Sequence, residues 1–287
     1  MSGTSGRPPR HALDCELSPR LPDSRVREAM AAFYKHSEGY AEQQGSHDAG
    51  YFGRLLGVME AVLSGPNLRI LEVGAGSAGA MRAFLARKPD ARPVAMELSS
   101  ASLSASRRAG AATLRAVAGN ALQLPFRDRS LDAVVAFEVL EHIPDVAHAL
   151  EEAIRVVRRP GFIIIGLPNH ASLWTPVEDR LRRRQRLAFG VDRGRGAWRW
   201  WRRNAGLAWR KRLMRDAEFL YREPILHASA GGDADAVYYA APIDLLRFFG
   251  RRGAQLVTTS ARLRLGWPGR FVPVELQGST VMAWRID

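Results

Sequence analysis

Residues 68–79 read Leu-Arg-Ile-Leu-Glu-Val-Gly-Ala-Gly-Ser-Ala-Gly. The first half is a short apolar run that contains one acid, Glu72, and the second half is rich in glycine. A strand that runs into a glycine loop and then into a helix is typical of α/β folds with a parallel sheet. Strand and helix patterns continue to alternate up to about residue 169, which predicts right-handed βαβ units.

The periodicity of apolar residues predicts the elements on both sides of this loop. Strands are expected at 68–73, 93–97, 115–118 (the weakest), 131–137, 162–167, 255–260 and 278–286. Helices are expected at 26–40, 51–63, 78–87, 100–110, 145–158 and 242–251. The fold class is therefore α/β and Rossmann-like, with helices on both faces of the sheet.

The composition predicts a cytoplasmic globular protein. Hydrophobic residues make up 46% of the 287 residues, which is enough for a core. No apolar run approaches the roughly 20 residues that span a bilayer, and the first 25 residues lack a secretory signal. Cys15 is the only cysteine, so an internal disulfide and a cysteine metal cluster are excluded.

The positive charge is concentrated in one segment. The whole chain carries a net charge of +13, and residues 180–215 alone hold 14 Arg or Lys and a single acid, Asp192. The rest of the chain is therefore close to neutral. We divide the chain into a flexible tail (1–25), an N-terminal helical lid (26–64), a core (65–170), a basic Trp/Arg-rich insertion (171–232) and a C-terminal part of the core sheet (233–287).

The glycine loop alone allows two interpretations. Gly74-x-Gly76-x-x-Gly79 matches the dinucleotide fingerprint, and Glu97 lies near the distance expected for a ribose-binding acid. Glu72 favours another ligand, because a carboxylate beside a pyrophosphate would be repelled. S-adenosylmethionine has no phosphate and carries a sulfonium and an ammonium, both of which a carboxylate attracts.

Seven short pieces between residues 69 and 169 resemble the type 11 methyltransferases, a family of small-molecule, quinone and sugar enzymes. The pieces are 71–76, 96–99, 119–121 with 124–126, 130–132, 139–142, 155–157 with 160–161, and 168–169. The resemblance implies a seven-stranded, mostly parallel sheet whose last strand is antiparallel, and S-adenosylmethionine as the cofactor.

The resemblance also implies a set of cofactor-binding residues. They are Glu72, Gly74, Ala75, Gly76, Glu97, Leu98, Asn120, Ala121, Leu122, Phe137 and Glu138. Glu97 would accept hydrogen bonds from the ribose, and Asn120 stands where the family usually has an acid near the adenine. The third glycine of the usual loop falls at Ala78, one place before Gly79, so the turn is expected to be slightly reshaped.

His142 is the candidate catalytic base, because its position faces the substrate side of this fold and histidine titrates near neutrality. A structural role for His142, as a helix cap, is an equally open alternative. Lower-ranked candidates for acceptor contacts are Tyr34, Tyr40, His47, Tyr51, Asn169 and Tyr238. We expect no metal, because the sequence shows no obvious cluster of acids.

The basic insertion holds four of the seven tryptophans, between Trp198 and Trp209. On a helix, Trp198, Trp201, Trp209 and Leu213 would share one face. Such a face is typical of segments that lie on an anionic membrane, here the inner face. Nucleic acid and a structural cap over the active site are the two alternatives.

These features predict a methyltransferase that acts on an oxygen, or less favourably on nitrogen or carbon, of a small or lipophilic acceptor such as a natural product, a quinone or polyprenyl compound, or a sugar lipid. Three alternatives stay open. They are an RNA methyltransferase that holds nucleic acid with the insertion, an NAD-type oxidoreductase that uses the glycine loop, and a binding module without activity.

Overall fold

The computed structural model describes residues 16–36, 51–99, 102–104, 114–173, 195–226, 233–265, 273 and 277–287. The strands are β1 (Arg69–Val73), β2 (Arg92–Glu97), β3 (Arg115–Ala118), β4 (Leu131–Phe137), β5 (Val157–Leu167), β6 (Gln255–Thr259) and β7 (Thr280–Ile286). The helices are α1 (Ser24–His36), α2 (Gly53–Val62), α3 (Gly79–Arg87), α4 (Val146–Val156), α5 (Arg195–Leu213), α6 (Pro242–Gly250) and α7 (Ser260–Leu265).

The seven strands form one sheet in the order β3-β2-β1-β4-β5-β7-β6. Neighbouring strands from β3 to β5 are parallel, whereas β7 runs antiparallel to both β5 and β6. The fold class and the antiparallel last strand are therefore confirmed. The order reverses between β1 and β4, and open α/β sheets bind ligands beside such a switch point, at the carboxyl ends of the strands.

The sheet is buried on both faces, as its near-continuous apolar strands require. Along β4, Val134 and Ala136 belong to the core on one face and Ala133 and Val135 to the core on the other. Helices α1, α4 and α6 cover the first face, and α2 and α3 cover the second. The loops at the strand ends are thus held on a rigid frame.

The boundary between α4 and β5 differs from the prediction. We expected a helix over 145–158, but α4 ends at Val156 and β5 already begins at Val157, which pairs with Leu131. Asp132 lies at the start of β4 and accepts a hydrogen bond from the backbone amide of Arg69. It also forms an ion pair with Arg158, and this contact holds Arg158 at the sheet. The turn predicted at Pro160-Gly161 is a register shift within β5.

Ser18, which belongs to the segment predicted to be a flexible tail, is bound to the body of the protein. Ser18 exchanges two backbone hydrogen bonds with Tyr221, and α1 begins at Ser24, where Asp23 accepts from the amide of Val26. Part of the predicted helix 26–40 and most of the predicted helix 100–110 lie outside the described residues. Helix α7 was not predicted.

Helix α5 lies within the basic insertion and packs on the body of the protein. Its buried side chains, Trp200, Asn204, Leu207 and Lys211, are spaced at three and four residues, as one helix face requires. No described helix is long and apolar enough to cross a membrane.

Candidate active site

The loop after β1 is shaped by close packing. Gly74 has a φ of +67°, and a Cβ built there would lie 2.2 Å from a methyl group of Val139. A side chain at Gly79 would likewise lie 2.8 Å from the ring of Phe52. These contacts explain why glycine is needed at both positions.

Ala78 keeps the left-handed conformation of the usual third glycine. Its φ is +58°, although it is an L-residue with a side chain. The expected reshaping of the turn is therefore small: the backbone at position 78 is left-handed, and Gly79 only makes room for Phe52. The cost of placing alanine there is about 1 kcal/mol.

Two acids flank this loop. Glu97, at the end of β2, accepts hydrogen bonds from the backbone amides of Gly76 (2.9 Å), Leu98 (2.7 Å) and Ser99 (3.0 Å). Glu72 is only 4% exposed, and its Oε2 has no hydrogen-bond partner among the described residues. Burial and the charge of Glu97 raise the pKa of Glu72 to about 8. The site therefore contains a buried acceptor that a cation would satisfy.

A cleft that is partly open to solvent lies at these strand ends. One end is formed by Gly74, Glu97 and the turn after β3, where Asn120 accepts from the amide of Leu122 (2.9 Å). The other end is formed by Tyr34 from α1 and His142 from the 3₁₀ turn after β4. A single cleft thus joins the glycine loop to the candidate base.

His142 belongs to a hydrogen-bonded group of three side chains. The Tyr34 hydroxyl lies 2.9 Å from His142 Nδ1 and donates to Asp235 Oδ2, also at 2.9 Å. Asp235 Oδ2 lies 3.4 Å from the same ring nitrogen. The three residues are far apart in sequence, and together they fix the imidazole at the cleft.

Buried acids surround this group. Glu138 lines the cleft, and burial together with Asp233 raises its pKa to about 8. Glu141 is 1% exposed, and burial, Glu138 and Asp233 raise its pKa well above the ordinary value. This grouping was not predicted, because its members come from two distant segments. No described group of three or more His, Cys, Asp or Glu has the arrangement of a metal site.

A family model described as a methyltransferase domain matches residues 71–165, the segment that holds the loop, Glu97, Asn120 and His142. Residues 71–165 are a methyltransferase domain. The family predicted from the sequence, and with it the S-adenosylmethionine-dependent class, is confirmed for this part of the chain.

Two curated relatives resemble the methyltransferase domain. A demethylmenaquinone methyltransferase from Thermobifida fusca is 37% identical over 100 residues, which is 33% of this chain and 42% of the relative. The ubiquinone/menaquinone biosynthesis C-methyltransferase UbiE from Dinoroseobacter shibae is 34% identical over 110 residues, which is 35% of this chain and 44% of the relative. The matched region thus spans less than half of either protein.

A solved structure shares the whole fold. A SAM-dependent methyltransferase from Aquifex aeolicus aligns over 88% of this chain and 100% of its own with a TM-score of 0.52 and 10% identity. At this identity the likeness concerns the fold alone. The methyltransferase domain therefore sits in a chain whose remaining strands complete the same sheet.

The residues at the loop fit S-adenosylmethionine. Glu72 offers a buried carboxylate oxygen in need of a partner, which suits a cationic group and would repel a pyrophosphate. A carboxylate has about four acceptor sites, and Glu97 uses three of them on backbone amides, so a second ribose hydroxyl would have to displace one. The Asn120 carbonyl retains one acceptor site, and its NH₂ group can donate.

The structure brings most of the proposed site residues together. Those that line the cleft are Tyr34, Gly74, Glu97, Leu98, Asn120, Ala121, Leu122, Glu138 and His142. Ala75 and Gly76 lie in the adjoining loop, where their amides donate to Met96 and Glu97. A purely structural role as a helix cap does not describe His142, because Asp145 caps α4.

Three proposed residues are placed elsewhere or cannot be placed. Phe137, proposed as a cofactor contact, turns to the opposite face of the sheet and packs on Tyr51 and Phe52. That orientation is possible because Gly166 beside the ring has no side chain. Tyr40 and His47 lie outside the described residues.

Two further acceptor candidates have structural partners. Asn169 is buried and donates to the carbonyl of Gln277 (2.8 Å), which secures the approach to β7. Tyr238 is fully buried, and its hydroxyl donates to Asp244 (3.1 Å) in the core. Neither contact points to an acceptor.

Sequence reasoning did not single out Asp235 as the partner of His142. Asp235 lies in the segment 233–239, which follows the basic insertion. Each of the two acids in this segment contacts a histidine. Asp235 contacts His142, and Asp233 contacts His170 Nε2 at 3.0 Å. A pair of acids two residues apart in an irregular segment was the available signal.

Proposed function

We propose that this protein transfers a methyl group from S-adenosylmethionine to an oxygen of a small or lipophilic acceptor, with His142 as the general base. The observation that carries the proposal is the single cleft that holds both the glycine loop with Glu97 and the His142 imidazole. In this arrangement, a bound cofactor and a base would share one cleft.

We infer the tautomer of His142 from its contacts. If the one hydroxyl proton of Tyr34 is donated to Asp235, the 2.9 Å contact between the Tyr34 oxygen and His142 Nδ1 uses a proton on Nδ1. In this scheme Nε2 is the ring nitrogen that acts as the base.

Tyr34 and Asp235 are positioning residues in this scheme. They hold the ring in one orientation, since the Tyr34 oxygen lies 2.9 Å and the Asp235 carboxylate 3.4 Å from Nδ1. When bound, S-adenosylmethionine supplies an electrophilic methyl group on a positive sulfur. His142 Nε2 would take the proton of the acceptor hydroxyl, which would leave the oxygen able to receive that methyl group.

A ring carbon is the second candidate for the methylated atom. The two relatives are named for quinone substrates, and one is named as a C-methyltransferase. Carbon methylation of a hydroxylated ring also begins with removal of a hydroxyl proton, so the His142 group serves either outcome. The two products differ in where the methyl carbon is attached.

Methyl transfer from ¹³C-methyl-labelled S-adenosylmethionine to a panel of phenols, hydroquinones and sugar lipids tests the proposal. We expect a methyl resonance of an ether in the product; a carbon-bound methyl would favour the second candidate. Calorimetry with S-adenosylhomocysteine provides the binding measurement. Binding of a nicotinamide dinucleotide in its place would overturn the proposal in favour of an oxidoreductase.

The positioning role has its own test in Asp235→Asn and Tyr34→Phe. We expect kcat to fall about tenfold in each, with KM nearly unchanged. Asp216→Asn, at an exposed ion pair with Arg251, is the matched control. A rise in KM in place of the fall in kcat, or no change in either, would reduce Tyr34 and Asp235 to a packing role.

A further inference from the structure

Helix α5 is fixed to the body of the protein through one polar face. Asn204 donates to the carbonyls of His170 (2.8 Å) and Ser172 (3.1 Å) and accepts from the Tyr239 hydroxyl (2.8 Å). Lys211 donates to both carboxylate oxygens of Asp244, at 2.7 and 2.5 Å. The helix is therefore held rigidly, and its outer face is displayed in one orientation.

The outer face carries large apolar side chains in solvent. Trp198 is 59% exposed, Trp209 68% and Leu213 69%, and Trp201 at the edge of the face stacks on Trp198 with ring centroids 5.3 Å apart. Between residues 198 and 213 the helix rises about 22 Å. Exposed tryptophans in a row on one fixed helix mark an interaction surface.

The same face is positively charged. Arg199, Arg202 and Arg212 are exposed on it, and no Asp or Glu occurs between residues 193 and 215. Arg210 is exposed too, although it pairs with Glu218. A partner that takes up this surface must therefore accept apolar rings and offer negative charge along a nearly straight ridge.

An anionic bilayer surface meets both requirements. Tryptophan and leucine enter the boundary between headgroups and acyl chains, while arginines stay at the level of the lipid phosphates. Nucleic acid accounts for the arginines but not for Leu213, and stacking on bases would compete with the Trp198–Trp201 stack. We propose that the outer face of α5 docks this protein on an anionic membrane surface. The proposal goes beyond methyl transfer and does not depend on it.

Vesicle flotation of the full chain tests the docking. Wild-type protein should float with phosphatidylcholine–phosphatidylglycerol vesicles and much less with phosphatidylcholine alone, and added salt should weaken the binding. The variant Trp198→Ser/Trp209→Ser/Leu213→Ser should bind anionic vesicles at least about tenfold more weakly. Replacing Arg199, Arg202 and Arg212 by Gln should abolish the preference for anionic lipid.

The matched control is Leu256→Ser/Leu263→Ser, which removes two leucines of similar exposure, 43% and 45%, from another part of the surface. This variant should float like the wild type. Equal flotation of wild type and the triple variant, or no flotation of the wild type, would overturn the proposal. Two other results would also overturn it. One is salt-sensitive retention of the wild type on RNA, lost in the serine variant, with no binding of the wild type to vesicles. The other is a wild-type dimer that the serine variant no longer forms.

Discussion

The two ends of the cleft are built in different ways. The cofactor end consists of loops that follow β1, β2 and β3, and its key groups are Gly74, Glu97 and Asn120, all within 50 residues of sequence. The acceptor end is assembled from Tyr34, His142 and Asp235, which come from α1, the turn after β4 and the segment after the basic insertion. The cofactor end is formed by loops of neighbouring strands in one sheet, whereas the acceptor end requires the packing of three segments that are distant in sequence.

Because of this difference, we expect cofactor binding and proton removal to depend on different residues. The cofactor end relies on close backbone packing and on acids at fixed strand ends, so it resists change as long as the sheet forms. The acceptor end depends on the docking of three segments, any of which can be altered without disturbing the glycine loop. We therefore expect mutations at the two ends to have separable effects.

The largest effect is expected for His142→Gln. Loss of a general base should lower kcat by roughly 10²- to 10⁴-fold, while the Kd for S-adenosylhomocysteine stays within about twofold of wild type. Steady-state kinetics and calorimetry on the same preparation check both halves of this statement. A large rise in Kd would mean that the two ends are not independent.

The converse variant is Glu97→Ala. Loss of a charged hydrogen-bond acceptor at the end of β2 should raise the Kd for S-adenosylhomocysteine on the order of 100-fold, since such bonds contribute about 1.5 to 3 kcal/mol each. With saturating cofactor, kcat should be nearly unaffected. Glu60→Ala, which removes an exposed acid paired with Arg87, is the control. A fall in kcat that saturating cofactor does not restore would show that the two ends of the cleft are not independent.

Glu72→Gln should lower the affinity for S-adenosylmethionine and raise the stability of the folded protein at high pH. The folded protein holds the Glu72 proton up to a pKa of about 8, whereas the unfolded chain releases it near 4.5, so the unfolding free energy falls as pH rises between these values. That loss is about 5 kcal/mol at most. Removing the titrating group should flatten the pH dependence of Tm and raise Tm at pH 9.

The same variant should bind S-adenosylmethionine more weakly relative to S-adenosylhomocysteine, because only the former carries the sulfonium charge. Glu60→Gln on the surface should change neither quantity. A Tm profile that remains as steep as in the wild type would contradict the buried state of Glu72.

The smallest effect is expected for Ala78→Gly. Glycine at a φ of +58° removes the cost of a left-handed L-residue, so thermal unfolding should show a gain of roughly 1 kcal/mol or less. Ala86→Gly, at an exposed position within α3, should instead lose about that amount. Equal losses in both variants would show that the loop is not strained at Ala78.

The sequence predicted which strand-end residues meet beside the glycine loop, but not which residues meet His142. Strand ends and glycine loops follow from local patterns, so Gly74, Glu97 and Asn120 were expected together, and all three line one cleft. The orientation of Phe137 did not follow from its position, because successive side chains of a strand point to opposite faces and the packing against Gly166 decides which face the ring takes. Asp235 was not paired with His142 because no local pattern records a contact across 93 residues of sequence.

The basic insertion shows the same limit. The sequence correctly placed Trp198, Trp201 and Trp209 on one side of a helix, but it gave no indication that Lys211 is buried. The spacing Trp200–Asn204–Leu207–Lys211 was visible but ambiguous, since a lysine at a buried position depends on its partner Asp244, which lies in α6.

The buried pair of Lys211 and Asp244 has a mechanical consequence. Separating the two charges would leave each of them unpaired in the interior, which costs about 3 to 5 kcal/mol when one partner of such a pair is removed. Helix α5 therefore cannot swing away from α6 as a hinged arm. A force on its outer face is transmitted to α6 through this pair, and to the rest of the protein through Asn204, so the helix moves together with the body.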